Sequence, residues 1–167
     1  MFMQARIKEL FHYDPDTGIF TWRKDIRVGR NKAFVTARAG AVAGFKSGWG
    51  YWALSVDNVR TSGHRMAWIY MTGELPPGDI DHINGDREDN RWANLRKATR
   101  SVNMQNLKGP HADSTTGYLG VEKKRNKFAA RICLDGKKTN LGVYDTAEQA
   151  HAVYLNAKRK LHEGNTL

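Results

Sequence analysis

The stretch NLKGPHADSTTG, Asn106 to Gly117, sets the strongest limit on how this chain folds. It holds one large apolar residue, Leu107, among Gly, Pro, Asn, Asp and Ser. Such a run has almost nothing to bury and favours turns, so it reads as a linker rather than part of a core. The 167 residues therefore divide into a region 1–106, a linker 107–116 and a region 117–167.

The tail after the linker is the more legible half. YLGVEKK, KFAARICL and KKTNLGVY alternate as three strands, with Asp135-Gly136 as a tight hairpin turn between the last two. Thr146 to Gln149 forms a capping box: the Thr hydroxyl accepts from the third helical amide, and the Gln side chain reaches back. The following helix, to Leu161, lines up Ala147, Ala150, Val153, Tyr154, Ala157 and Leu161 on one face. A three-stranded antiparallel sheet packed on one helix is expected. Alternation puts Phe128, Ala130, Ile132 and Leu134 on the helix side, with Leu141 and Tyr144. The other side carries Lys124, Lys127, Arg131, Cys133, Lys138 and Asn140.

Charge gives that polar face a purpose. The chain carries 27 Lys and Arg against 17 Asp and Glu, a net +10, with a pI near 9.9. A balance this basic favours a polyanionic partner, nucleic acid above all. A cationic sheet face offers contacts to phosphates and base edges. No run approaches the roughly 20 apolar residues of a membrane span. Arg6, Lys8 and Glu9 fall where a secretory signal has its apolar core, so no export signal is read. The single cysteine, Cys133, rules out an internal disulfide and a zinc site of paired thiolates. A cytoplasmic setting is the default expectation.

In the first region, Ile7, Leu10 and Phe11 recur at helical spacing, predicting a helix over 3–13. DPDTG is a turn and IFTWR a short strand. GYWALSV and VRTS read as two strands about Asp57-Asn58. A helix is predicted from His64 to a stop at Gly73. Residues 24–44 have too weak a periodicity to place.

Next comes DHINGDREDNRWANLRKATRSVNMQN, Asp81 to Asn106, unusually rich in Asn. It reads as strand, turn, strand and helix, with Thr99 or Ser101 capping the helix. Asn84-Gly85 supplies turn geometry. Asp81 with an Asn amide oxygen offers hard ligands for a divalent cation. His82 can take a proton from water if its imidazole is neutral. Asn94 is placed to hold that imidazole in one tautomer. His12, His111, His151 and His162 are scattered and read as ordinary residues.

HRMAW followed by IDHINGDREDNRWANLRKATRSVNMQN, about His64 to Asn106, closely resembles the ββα-metal core of HNH nucleases, in the homing and phage branch with a final Asn. The resemblance implies Asp81 and Asn103 as metal ligands, His82 as general base and Asn94 as its orienting partner. Asn90 fixes the loop, and His64 and Arg65 either approach the phosphate or support the fold. It implies one Mg²⁺ or Mn²⁺ per active site, double-stranded DNA as substrate, and a setting inside a phage-infected bacterium. That branch resembles enzymes that often nick one strand, and a dimer of nicking units could cut both, so the sequence leaves nick and double-strand break open.

The pattern GYLGV, KFAARI, LGVYDTAEQAHAVY, over Gly117 to Leu161, resembles the DNA-binding domain of the APETALA2 and ethylene-response-factor type. In that family the sheet docks in the major groove. By matching positions the resemblance implies that Glu122, Lys124, Arg131, Cys133, Lys138 and Asn140 face DNA, and Lys123, Arg125 and Lys127 are expected to bind DNA beside them. Leu119, Asn140 and Glu122 stand where that family has Arg, Trp and Arg, so its sequence preference is not carried over.

The expected fold class is α+β: a small α/β region holding an HNH core, then the sheet and helix. The expected function is metal-dependent DNA cleavage. Two rivals remain open on sequence: a non-catalytic DNA-binding regulator with a relic nuclease core, and an RNA-binding protein or RNase.

Overall fold

The computed structural model describes residues 2–28, 30–32, 34–110, 113–162 and 165. His111 and part of the expected linker lie outside these. The chain forms two compact units, Met1–Lys97 and Ala98–Leu167. The division falls ahead of the expected linker, for a local reason. Thr99 starts a helix whose Ser101 bonds Asp135 (3.2 Å), and the Leu107 carbonyl accepts from Lys158. Residues 98–107 are thus tied into the second unit.

The first unit begins with α1 (Phe2–Leu10). The helix stops earlier than its spacing predicts, and Phe11–Tyr13 become strand β1. Phe11 and Tyr13 are buried while His12 is exposed, a period of two that only a strand satisfies. β1 pairs antiparallel with β2 (Phe20–Trp22) across the Asp14 turn. Residues 24–44 contain a hairpin of β3 (Ile26–Val28) and β4 (Phe34–Ala37).

β5 (Phe45–Lys46), β6 (Trp52–Val56) and β7 (Val59–Ser62) form an antiparallel meander. Asp57 and Asn58 take φ of 48° and 67°, the twisted turn a two-residue hairpin needs. α2 (Gly63–Thr72) follows and ends on Gly73 at φ 82°. β8 (Asp79–His82) pairs with β9 (Leu95–Ala98), and a single 3-10 turn, Trp92–Asn94, precedes β9.

α1, α2 and the small sheets close on one core. Ile7, Phe11, Phe20, Leu54, Met66 and Ile80 are its centre. Phe11 and Phe20 meet edge to face at 6.2 Å. Truncating Phe11, fully buried, would cost about 3–5 kcal/mol. The core fixes α2 and β8, and these carry His64, Asp81 and His82.

The second unit opens with α3 (Arg100–Gln105), capped by Thr99, whose hydroxyl accepts from the Val102 amide. β10 (Val121–Lys124), β11 (Lys127–Leu134) and β12 (Lys137–Tyr144) form the antiparallel sheet. The turn at Asp135-Gly136 has φ of 47° and 78°. α4 (Ala147–Leu161) starts with the Thr146–Gln149 capping box and packs on all three strands. Its core is Val121, Ala130, Ala147 and Ala150, with Phe128, Leu141 and Tyr144 against it.

The helix face differs from the sequence pattern at its end. Leu161 is exposed, and Lys158 is buried in its place. The Lys158 ammonium bonds the carbonyl of Leu107, the first residue of the expected linker, and so ties that residue to this part of α4. Among the described residues no helix is long and apolar enough to cross a membrane.

Candidate active site

His82 ends β8, is 4% exposed, and its Nε2 lies 3.2 Å from Asn90 Oδ1. The proton on that hydrogen bond follows from the neighbours. Asn90 Nδ2 donates to the Glu88 carbonyl at 3.1 Å, and a carbonyl can only accept. Oδ1 therefore faces the ring and accepts from it. Nε2 carries the hydrogen, and Nδ1 presents the lone pair.

The ring is neutral for a physical reason. Burial disfavours the imidazolium and pulls its pKa below the ordinary 6.5. The Asn90 bond and the carboxylates of Asp81, Asp89 and Asp86 oppose this, and burial outweighs them.

Asn94, expected on the His82 ring, is used elsewhere. Its Oδ1 accepts from the Asn84 amide at 2.9 Å, and its Nδ2 donates to Asn84 Oδ1 and the Asp89 carbonyl. It braces the Asn84–Asn90 loop, the job expected of Asn90. The two amides thus hold each other's expected places. The reason is reach: Asn94 heads into β9 beside Ile83, whose amide donates to the Asn94 carbonyl, while Asn90 sits at the end of the loop that folds back under the ring.

The loop is stiffened further. Arg91 grips Asp89 with two hydrogen bonds, 2.8 and 2.6 Å. Arg91, then Asn84, hold the Asp89 carboxyl down at about 2. Asn84 Oδ1 also accepts from the Asp86 amide, an Asx turn, so its expected turn role is matched by these bonds.

Asp81, next to His82 and 5% exposed, points the other way along the strand. Its Oδ2 accepts from Arg96 Nε and Nη2 at 3.0 and 2.8 Å. Asn103, its expected partner, lies half-buried on α3 in the second unit. Among the described residues no three His, Cys, Asp or Glu side chains gather as a metal site. The donor chemistry still suits Mg²⁺ or Mn²⁺. Such ions need hard oxygens, and Mg²⁺ commonly takes one or two carboxylates with water and phosphate completing its shell. The Asp81 carboxylate is one such hard oxygen.

His64 on α2 meets His82 edge to face, ring centres 4.8 Å apart. Its Nε2 is 3.2 Å from Ser62 Oγ, and its Nδ1 is buried without a hydrogen-bond partner among the described residues. Burial, then His82 and Arg65, push its pKa down to about 3. Arg65 turns away and bonds the Gly78 carbonyl. Tyr51 completes the cluster, 5.2 Å from His64 and 6.1 Å from His82. The Arg87 guanidinium lies over Tyr51, 5.0 Å from the ring centre. Sequence reasoning misses Tyr51, Arg87 and Arg96. No spacing links Tyr51 to His82 across 31 positions of sequence; only strand pairing hints at Arg96.

In the second unit, register sorts the cationic residues. Lys124 faces Lys127, and Arg131 faces Asn140 with Lys138 two pairs beyond, opposite Cys133, on the side away from Phe128. Lys123 pairs with Phe128 instead, and Arg125 occupies the turn at φ 53°. The face is not uniformly positive: Arg131 bonds Glu122 at 2.8 Å and Lys127 bonds Asp145 at 2.9 Å.

Comparison with known proteins gives two results. Residues 63–105 match a family model described as HNH endonuclease. The chain is 31% identical over 102 residues to Protein 3.8 of Escherichia phage T7, spanning 59% of this chain and 83% of that protein. No solved structure matches the chain.

Proposed function

The chain belongs to the same family as Protein 3.8 of Escherichia phage T7 and carries an HNH endonuclease domain, and from that premise we propose that it is a metal-dependent DNA endonuclease, of the free-standing homing kind, that nicks its substrate. The observation that carries the reading is the hydrogen bond between His82 and Asn90. It leaves a neutral imidazole with Nδ1 as the base, next in sequence to a buried carboxylate.

In this mechanism His82 Nδ1 takes a proton from the water that attacks phosphorus. Asn90 holds the ring in the tautomer that makes Nδ1 the acceptor, and Asn94 keeps the loop closed beneath it. Asp81 would hold Mg²⁺ or Mn²⁺, with water and substrate phosphate completing the shell. Bound there, the ion supplies charge stabilisation to the phosphate and the leaving oxygen. The second unit's Lys124, Lys127, Arg131, Lys138 and Asn140 add affinity as an APETALA2-like sheet, with strong salt dependence expected.

One observation favours the rival reading of a relic core: the Asp81 carboxylate is already paired with Arg96. Purified protein on supercoiled plasmid with Mg²⁺ or Mn²⁺ separates the two. Nicking by wild type and none by His82→Ala is expected. Equal nicking by both, or none by either, removes the enzyme reading.

A further inference from the structure

Four of the five tryptophans have structural work. Trp68 is buried and meets Trp92 at 5.1 Å with the rings tilted, Trp22 packs on Phe11 at 4.6 Å, and Trp52 Nε1 donates to the Ala43 carbonyl. Trp49 has none. It is 82% exposed, and among the described residues its indole makes no hydrogen bond or ring contact.

Its position is built nonetheless. Trp49 is at the tip of the β5–β6 turn, closed by Ser47 and Tyr51 (2.8 Å) and by Gly50 and Ser47 (2.9 Å). Glycines flank it, Gly50 at φ 78°, and a Cβ at either Gly48 or Gly50 would meet nothing within 4 Å. The indole therefore stands clear of its own chain.

Two tethers fix this turn to the loop that carries Asn90. Arg87 Nη1 donates to the Trp49 carbonyl at 3.1 Å, and Lys46 pairs with Glu88. Arg87 also lies on Tyr51, whose ring is 6.1 Å from His82. Trp49 is two residues from Tyr51, at most about 7 Å of chain. A solvent-facing indole is thus held at the rim of the candidate active site, beside an exposed arginine and on a strongly basic chain.

Building on the endonuclease reading, we propose that Trp49 is a DNA-stacking wedge. Its indole packs on a nucleobase of duplex DNA within about four base steps of the phosphodiester presented to His82, taking roughly 3.4 Å per step. Arg87 keeps the turn in place and supplies the adjacent positive charge. Apolar side chains inserted at a base step unstack it and bend the duplex, and aromatic stacking tolerates any sequence because every base has a π-face.

The test uses the full chain with a mixed-sequence DNA duplex in metal-free buffer, so that binding is read without cleavage. Tryptophan emission should fall on adding DNA in wild type, and that fall should vanish in Trp49→Phe, which keeps an aromatic ring and most of the affinity. Trp49→Ala should bind roughly 5- to 150-fold more weakly, with the slope of log affinity against log salt unchanged, because the same phosphates are still neutralised. Wild type that binds DNA without quenching, or Trp49→Ala binding equally well, overturns the wedge. So does a Trp49 response to anionic lipid vesicles in place of duplex DNA. Plasmid nicking by wild type is scored separately: nicking with a silent Trp49 sinks the wedge alone, while neither nicking nor binding sinks the endonuclease reading with it.

Discussion

Asn90 Oδ1 stands 3.2 Å from His82 Nε2, and its own amide nitrogen is fixed on the Glu88 carbonyl. The orientation of one buried imidazole therefore depends, by way of a single amide, on a carbonyl of the loop that follows β8. Asn94 serves the same loop without touching the ring.

That difference separates two substitutions. Asn90→Ala frees the ring to flip and to change tautomer, so kcat should drop roughly 10²-fold or more with KM little changed, the scale of a lost positioned base. Asn94→Ala removes three hydrogen bonds from a buried position and should destabilise the first unit by about 2–4 kcal/mol. Steady-state nicking kinetics and denaturant unfolding on both variants check this. If Asn94→Ala has the larger kcat defect at temperatures where it is folded, the assignment is reversed.

The His64 side chain predicts an acid limit to stability. Its folded-state pKa is depressed to about 3, against an ordinary 6.5 in the unfolded chain. Below pH 6.5 the unfolded state takes up the proton and the folded state does not. Stability present above pH 6.5 is therefore lost as pH falls toward 3, by about 2 kcal/mol between pH 6.5 and 5. Denaturant titrations at pH 7 and pH 5 should show this loss in wild type and a much smaller one in His64→Gln. An equal loss in both variants would show that other groups set the limit.

The sequence makes some elements plain and hides others, and the reasons are physical. Thr146 and Gln149 announce α4 because a capping box is local chemistry. Asp57-Asn58 and Asp135-Gly136 announce hairpins for the same reason. Asp81 and His82 are adjacent, so their motif survives in one dimension. Asn90 and Asn94 are four apart in a loop, where no period says which one faces the ring. Tyr51 reaches the site only through strand pairing and core packing, and α1 yields to β1 because tertiary burial of Phe11 and Tyr13 outweighs helical spacing. Lys158 reads as a solvent residue because its partner, the Leu107 carbonyl, belongs to a distant segment.

The cationic sheet face is testable by salt. Lys124 and Lys138 lie on the side away from Phe128, and both are exposed. Charge removal at both, Lys124→Ala with Lys138→Ala, should weaken duplex binding and lower the slope of log affinity against log salt by about 0.9 for each phosphate left without its lysine. Lys123→Ala, on the opposite side, should leave the slope unchanged. Filter binding across a salt series reads both; a slope that moves only with Lys123→Ala would place the DNA on the other side of the sheet.

Lys158 predicts the same direction as His64, at higher pH and in the second unit. Burial, then nearby Lys108, lower its pKa from 10.5 to about 8. Between those values the unfolded chain holds a proton that the folded unit has released, so stability rises with pH across that window. The gain is about 2 kcal/mol between pH 8 and 9.5, discounting other groups that titrate there. Lys158→Met fills the same space without a charge and should abolish that rise, whatever it does to absolute stability by removing the Leu107 bond. The comparison to make is therefore the pH slope of unfolding, wild type against variant, by denaturant titration at pH 8 and 9.5. A Lys158→Met protein that keeps the wild-type slope would mean that the ammonium remains charged and hydrated in the folded state, and the buried bond to the Leu107 carbonyl would then be the wrong description of this helix face.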